Sequence, residues 1–193
     1  MNDGDKGISR REFITRLTVL ASLAASYPAA ALQQLRSNAT PDKEQDWRNQ
    51  DPWKTIAAVQ QHLFPSTEDS PGASDFQAIV YLRNTIENPA ADGEDKDFIV
   101  NGVGWLNDLS RERYQQPFTA FDESERETVL RQIEQSQAGR NWLSLLLTYL
   151  LEALLADPVY GGNLGGMGWR WLEHQPGYPT PPQDKSWFKL ARR

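Results

Sequence analysis

The chain has 193 residues, with 20 basic against 26 acidic side chains and a formal net charge of −6. An acidic surface argues against nucleic acid and anionic lipid as partners, because both select cationic faces. There is no cysteine, which excludes disulfides, cysteine-ligated iron–sulfur clusters and covalent c-type haem.

Ser9-Arg10-Arg11-Glu12-Phe13-Ile14 comes first, ahead of a mildly apolar stretch from Ile14 to Ala25. Paired arginines before a weakly hydrophobic segment, with Phe13 two places beyond the pair, read as a twin-arginine export signal. That route carries proteins already folded. The run from Leu17 to Ala25 is far short of the ~20 residues of a membrane-spanning helix. Ala29-Ala30-Ala31 offers the small residues a signal peptidase needs, so cleavage after Ala31 is one outcome and an uncleaved anchor the other. Residues 1–31 are therefore assigned to the signal. Asn38-Ala39-Thr40 matches a glycosylation sequon, which a bacterial export signal makes coincidental.

Residues 32–50 are polar and charged, with Pro41, and read as a linker to a single helical domain over 51–193. Asp51-Pro52-Trp53 predicts a helix start, with Trp53, Ile56, Ala57, Gln60 and Leu63-Phe64 at helical spacing and Pro65 as the stop. Ser74 is placed as the cap of a second helix with Phe76, Ile79, Val80, Arg83 and Ile86 on one side. Asn88-Pro89 ends it. A third helix is predicted over about 94–114, with Phe98, Gly102, Trp105, Leu106 and Leu109 as its apolar stripe. Asp122-Glu123-Ser124-Glu125 has the form of a capping box for a fourth. Gly139 separates it from a fifth over 141–156.

The fifth helix is apolar on nearly every face, from Trp142 through Leu154-Leu155. Such a helix is expected to be central and buried all round. It is short and carries Glu152, so it does not read as a membrane span. No useful strand pattern appears. The predicted fold is all-α, a small irregular helical bundle with a Gly/Pro-rich C-terminal tail.

Asp157-Pro158 ends the fifth helix. Tyr160-Gly161-Gly162-Asn163-Leu164-Gly165-Gly166-Met167-Gly168-Trp169 follows. Such glycine density means sharp turns or close backbone approach. No G-x-G-x-x-G fits these residues, and no Lys-Ser/Thr follows as a phosphate loop requires. A structural turn or partner-docking loop is the better reading. The candidate docking residues are Tyr160, Gly161, Gly162, Asn163, Gly166, Gly168 and Trp169. Trp169, Trp171 and Trp187 lie in the loop-rich tail, where exposed aromatics act as interface anchors.

Other candidate chemistry is sparse. His62 reads as a packed or surface histidine. Glu173 and His174, with Asp157, form the alternative site of an independent periplasmic enzyme or binding protein. Two histidines without cysteine make a poor transition-metal site. Asp92, Glu94, Asp95 and Asp97 lack the ligand alternation and closing Glu of a calcium loop, and read as a solvated helix start.

Asp157-Pro-Val-Tyr-Gly-Gly-Asn163, Gly166-Met-Gly-Trp169 and Pro176-Gly177 resemble the gluconate 2-dehydrogenase subunit 3 family. The twin-arginine start and the Leu63-Phe64-Pro65 helix end agree with it. Members are small subunits of bacterial flavin-dependent dehydrogenases of sugars and sugar acids. The resemblance implies no catalytic residue and no cofactor on this chain. It implies an FAD-bearing large subunit as partner, a cytochrome c subunit as electron acceptor, and a chain that takes the large subunit through the twin-arginine translocase to the periplasm.

Overall fold

The computed structural model describes residues 47–177, 179–182 and 186. The export-signal residues Arg10, Arg11 and Phe13, and Trp187, lie outside them. The protein is all-α: six α-helices and several single 3₁₀ turns, with no strand among the described residues. The helices are α1 (Trp53–Leu63), α2 (Ala78–Ile86), α3 (Gly93–Tyr114), α4 (Glu123–Glu134), α5 (Gln137–Leu155) and α6 (Met167–Trp171).

Capping follows local chemistry. Asp122 and Glu125 form the predicted reciprocal box at the start of α4: the Glu125 amide donates to Asp122 Oδ1 at 2.8 Å and the Asp122 amide to Glu125 Oε2 at 3.0 Å. Asp92 accepts from the Glu94 amide at 2.9 Å. Glu94 and Asp95 fill the first turn of α3, where acidic side chains suit the helix dipole. Asp51 takes both the amide and the hydroxyl of Thr55, at 3.2 and 2.7 Å.

α5 touches every other α-helix. Trp142, Leu146, Leu150 and Ala153 are fully buried along it. The main core gathers Ile56, Val59, Leu82, Ile99, Leu106 and Val129 around Trp142 and Leu146. A smaller cluster joins Phe64, Phe76, Leu150 and Leu154. Trp47 packs against the main core, with the Arg83 guanidinium 4.2 Å from its ring centre, so packing begins before Asp51.

Four expectations are corrected. Gly139 lies inside α5, which starts at Gln137 with Ser136 as cap accepting the Gly139 amide at 2.9 Å. A Cβ at Gly139 would clash with the carbonyl of Ile133, so this glycine permits the tight α4–α5 junction. The second helix begins at Ala78, not after Ser74: Gln77 is left-handed (φ 58°), and Phe76 is buried from the preceding turn. The buried face of α3 is Ile99, Gly102, Val103, Leu106, Asn107 and Ser110, whereas Trp105 is 41% exposed. Finally, α5 is central but not enclosed: Asn141, Ser144, Thr148, Glu152 and Leu155 form an exposed side.

α3 and α5 meet closely where Gly102 faces Trp142; any Cβ there would strike the indole. The Trp142 indole N–H donates to the Ile99 carbonyl at 3.0 Å. A polar link ties α1 to α3, the Asn107 amide donating to Asp51 Oδ2 at 3.1 Å. His62 is buried, as packing predicts, with its Nε2 2.8 Å from Glu127 on α4.

Candidate functional site

The last carbonyls of a helix lack intrahelical partners. In α5 the glycine segment supplies them. It turns through two single 3₁₀ turns, Pro158–Tyr160 and Leu164–Gly166, and then forms α6. Asp157 caps the first turn, its carboxylate accepting the Val159 amide at 2.9 Å. Asn163 is fully buried in a left-handed conformation (φ 46°). Its Nδ2 donates to the Ala156 carbonyl at 2.9 Å, and its Oδ1 accepts the Gly168 amide at 2.7 Å. The Trp169 indole N–H donates to the Leu155 carbonyl at 2.7 Å.

The glycines answer to two requirements. Gly161, Gly165 and Gly166 have positive φ, which side chains disfavour. Gly162 and Gly168 lie against α5 itself: a Cβ at Gly162 would be 2.6 Å from the Ala153 carbonyl, and one at Gly168 would overlap that of Leu154. Their close approach is thus made to this chain's own central helix. Tyr160 is half-buried, and its carbonyl accepts from Asn84 Nδ2 at 3.3 Å. Trp171 turns the other way, donating to the Asp69 carbonyl at 2.8 Å and standing edge-on to Phe64.

An open cleft of about 420 Å³ lies on the outer side, lined by residues that include Pro158, Trp169, Arg170, Glu173, His174 and Pro176. The Arg170 guanidinium donates to the Gly165 carbonyl. Glu173 and His174 border the cleft as exposed side chains. Asp157 is engaged in its own cap. Beside this region Leu155 is 48% exposed.

Of the residues proposed from sequence, Tyr160, Gly161, Gly162, Asn163, Gly166, Gly168 and Trp169 form one contiguous cap over the end of α5. Sequence reading missed Leu155, which the apolar pattern assigned to the core. It also missed Arg170, which carries no signal apart from its neighbours, and read Pro158 only as the helix stop and part of the family motif.

No group of three or more His, Asp or Glu able to hold a metal lies among the described residues, and none of their helices is long and apolar enough to cross a membrane. No curated protein and no solved structure matches the chain. A family model described as gluconate 2-dehydrogenase subunit 3 matches residues 50–177, from the start of the bundle through the glycine cap to Pro176-Gly177. The chain belongs to the gluconate 2-dehydrogenase subunit 3 family.

Proposed function

We propose that this chain is the non-catalytic small subunit of a flavin-dependent dehydrogenase of the gluconate or sugar type. It escorts the folded FAD-bearing large subunit through twin-arginine export to the periplasm and stabilises it there. The observation that carries this reading is family membership over residues 50–177, since a subunit 3 implies a multi-subunit dehydrogenase complex. Arg10-Arg11 with Phe13 supports the export half. A passenger that must acquire a cofactor in the cytoplasm is what makes a folded-state export route necessary. A cytochrome c subunit completes the electron path.

The docking surface we assign is the outer side of the glycine cap. Leu155 is a large apolar side chain left half in water at the end of the central helix. Trp169 and the Pro158–Pro176 cleft extend that surface, and we assign half-buried Tyr160, two residues beyond Pro158, to it as well. Aromatic and aliphatic anchors at the centre of a patch carry most of the energy of a protein–protein contact.

The test is fractionation of cells that co-express the chain with its large subunit. Replacing Arg10 and Arg11 with Lys should leave both proteins and the dehydrogenase activity in the cytoplasm. Normal export of the double-Lys chain overturns the twin-arginine reading. A large subunit that reaches the periplasm without this chain overturns the escort role.

A further inference from the structure

The glycine cap covers the end of α5; a different surface lies on the outer side of α3. On α3 the residues Glu94, Phe98, Asn101, Trp105, Asp108 and Glu112 follow one another in alternating steps of four and three. That spacing lines them up as one seam of the kind helices use to pack on helices. Trp105 is 41% exposed. The rings of Phe98 and Trp105 meet edge to face with centroids 5.7 Å apart, so the indole is held by its neighbour while much of it faces water. The other four members are exposed, and the three charged ones are all acidic. Arg111 lies off the seam, in a 3.8 Å contact with Asp108.

We propose that this seam is a second contact with the FAD-bearing large subunit and that it receives a cationic helix of that subunit. The proposal rests on the small-subunit reading above. Aromatic anchors flanked by Glu94, Asp108 and Glu112 call for a partner face with an apolar groove edged by Lys and Arg. A second copy of the same seam would set acid against acid. The contact is separate from the glycine cap. α3 runs along α5 from Asp95, which accepts the Tyr149 hydroxyl, to Gly102 against Trp142, whereas the cap holds the Leu155 carbonyl, so at 1.5 Å per residue these contacts lie about 9 to about 20 Å from Leu155 along α5. Two patches on different helices suit a large subunit that holds the bundle at more than one place.

The experiment measures binding of the purified chain to the purified large subunit at about 50 and about 300 mM salt, which screen surface charge to different degrees. Trp105→Ala should weaken binding about 30-fold, the loss expected of an anchor. Asp108→Lys combined with Glu112→Lys should weaken it about tenfold at low salt, with a smaller loss at high salt. The charge-reversal pair should keep the wild-type circular dichroism and melting temperature, and Trp105→Ala should keep the circular dichroism with a small fall in melting temperature from the lost Phe98 contact. If Trp105→Ala misfolds, the charge-reversal pair decides alone. Unchanged affinity in both variants, with Leu155→Ala still weakening the complex, removes the second contact and leaves the small-subunit reading intact. A wild-type chain that does not bind the large subunit overturns both. Self-association of the isolated chain that Trp105→Ala abolishes would make the seam a homomeric interface and overturn the proposal.

Discussion

Trp169 donates its indole N–H to the carbonyl of Leu155 at 2.7 Å, while the Leu155 side chain stays 48% exposed. One residue therefore secures the end of α5 and the other presents an apolar group beside it. This division separates two roles that a simple Trp→Ala experiment would merge. Trp169→Phe keeps most of the ring and deletes the donor, and should cost about 0.5–1.5 kcal/mol, the net worth of one hydrogen bond. Leu155→Ala should change stability by no more than about 0.5 kcal/mol, as is usual for surface positions, yet weaken capture of the large subunit about tenfold. Thermal denaturation of the isolated chain beside a binding titration measures both. Equal affinity for Leu155→Ala and wild type removes this end of α5 from the interface.

Asn163→Ala should be among the most damaging single changes outside the core. It deletes both side-chain bonds of a fully buried residue and asks Ala to hold φ 46°. Unpaired buried groups cost about 1–3 kcal/mol and a strained left-handed residue about 1–3 more. A melting temperature within a degree or two of wild type would show that the cap does not support the bundle.

The glycines of this chain are not equivalent. Gly168→Ala should destabilise by ~2 kcal/mol or more, because its Cβ has no room against the Leu154 carbonyl. Gly104 lies on the exposed side of α3 with nothing within 4 Å of a Cβ. Gly104→Ala should therefore stabilise by about 0.5–1 kcal/mol through helix propensity. Chemical denaturation of the pair checks the opposite signs.

Leu146 and Leu150 are both fully buried. Replacing either with Asp places a charge in the core at a cost of several kcal/mol, against a total stability of ~5–15 kcal/mol. Loss of the cooperative thermal transition and of helical circular dichroism is the expected outcome. A folded Leu146→Asp chain would contradict the position of this helix at the centre.

Alkaline pH should weaken the bundle through two tyrosines. The Tyr81 hydroxyl donates to Glu152 at 3.1 Å, and that of Tyr149 to Asp95 at 2.8 Å. Burial first, and Glu152 second, push Tyr81 up to about 12. Burial and the hydrogen bond to Asp95 raise Tyr149 as well. The folded chain therefore keeps these protons where the unfolded chain has lost them. Stability is fully present below about pH 10 and falls as pH rises from there toward about 12. Tyr81→Phe should flatten that fall in a melting-temperature series. An identical alkaline slope in wild type and variant would rule Tyr81 out as its source.

The sequence by itself determined the fold class, the family, and the elements whose signals are local. The Asp122–Glu125 box and the start of α3 are written in the residues that form them, because a cap needs only neighbours within one turn. The density of Leu and Trp between Trp142 and Leu154 marked the central helix, since only an interior helix can cover so much apolar surface. Only the tertiary structure decided which side of that helix stays open, that Trp105 faces water, and that Gly139 lies inside a helix. It also turned the glycine segment onto the chain's own α5. Periodicity reports how apolar a face is, not which neighbour covers it. A glycine's demand for close approach likewise does not name the surface approached. Both are settled by contacts between residues far apart in the chain, such as Gly102 with Trp142 and Asn84 with Tyr160, and no window of sequence contains them.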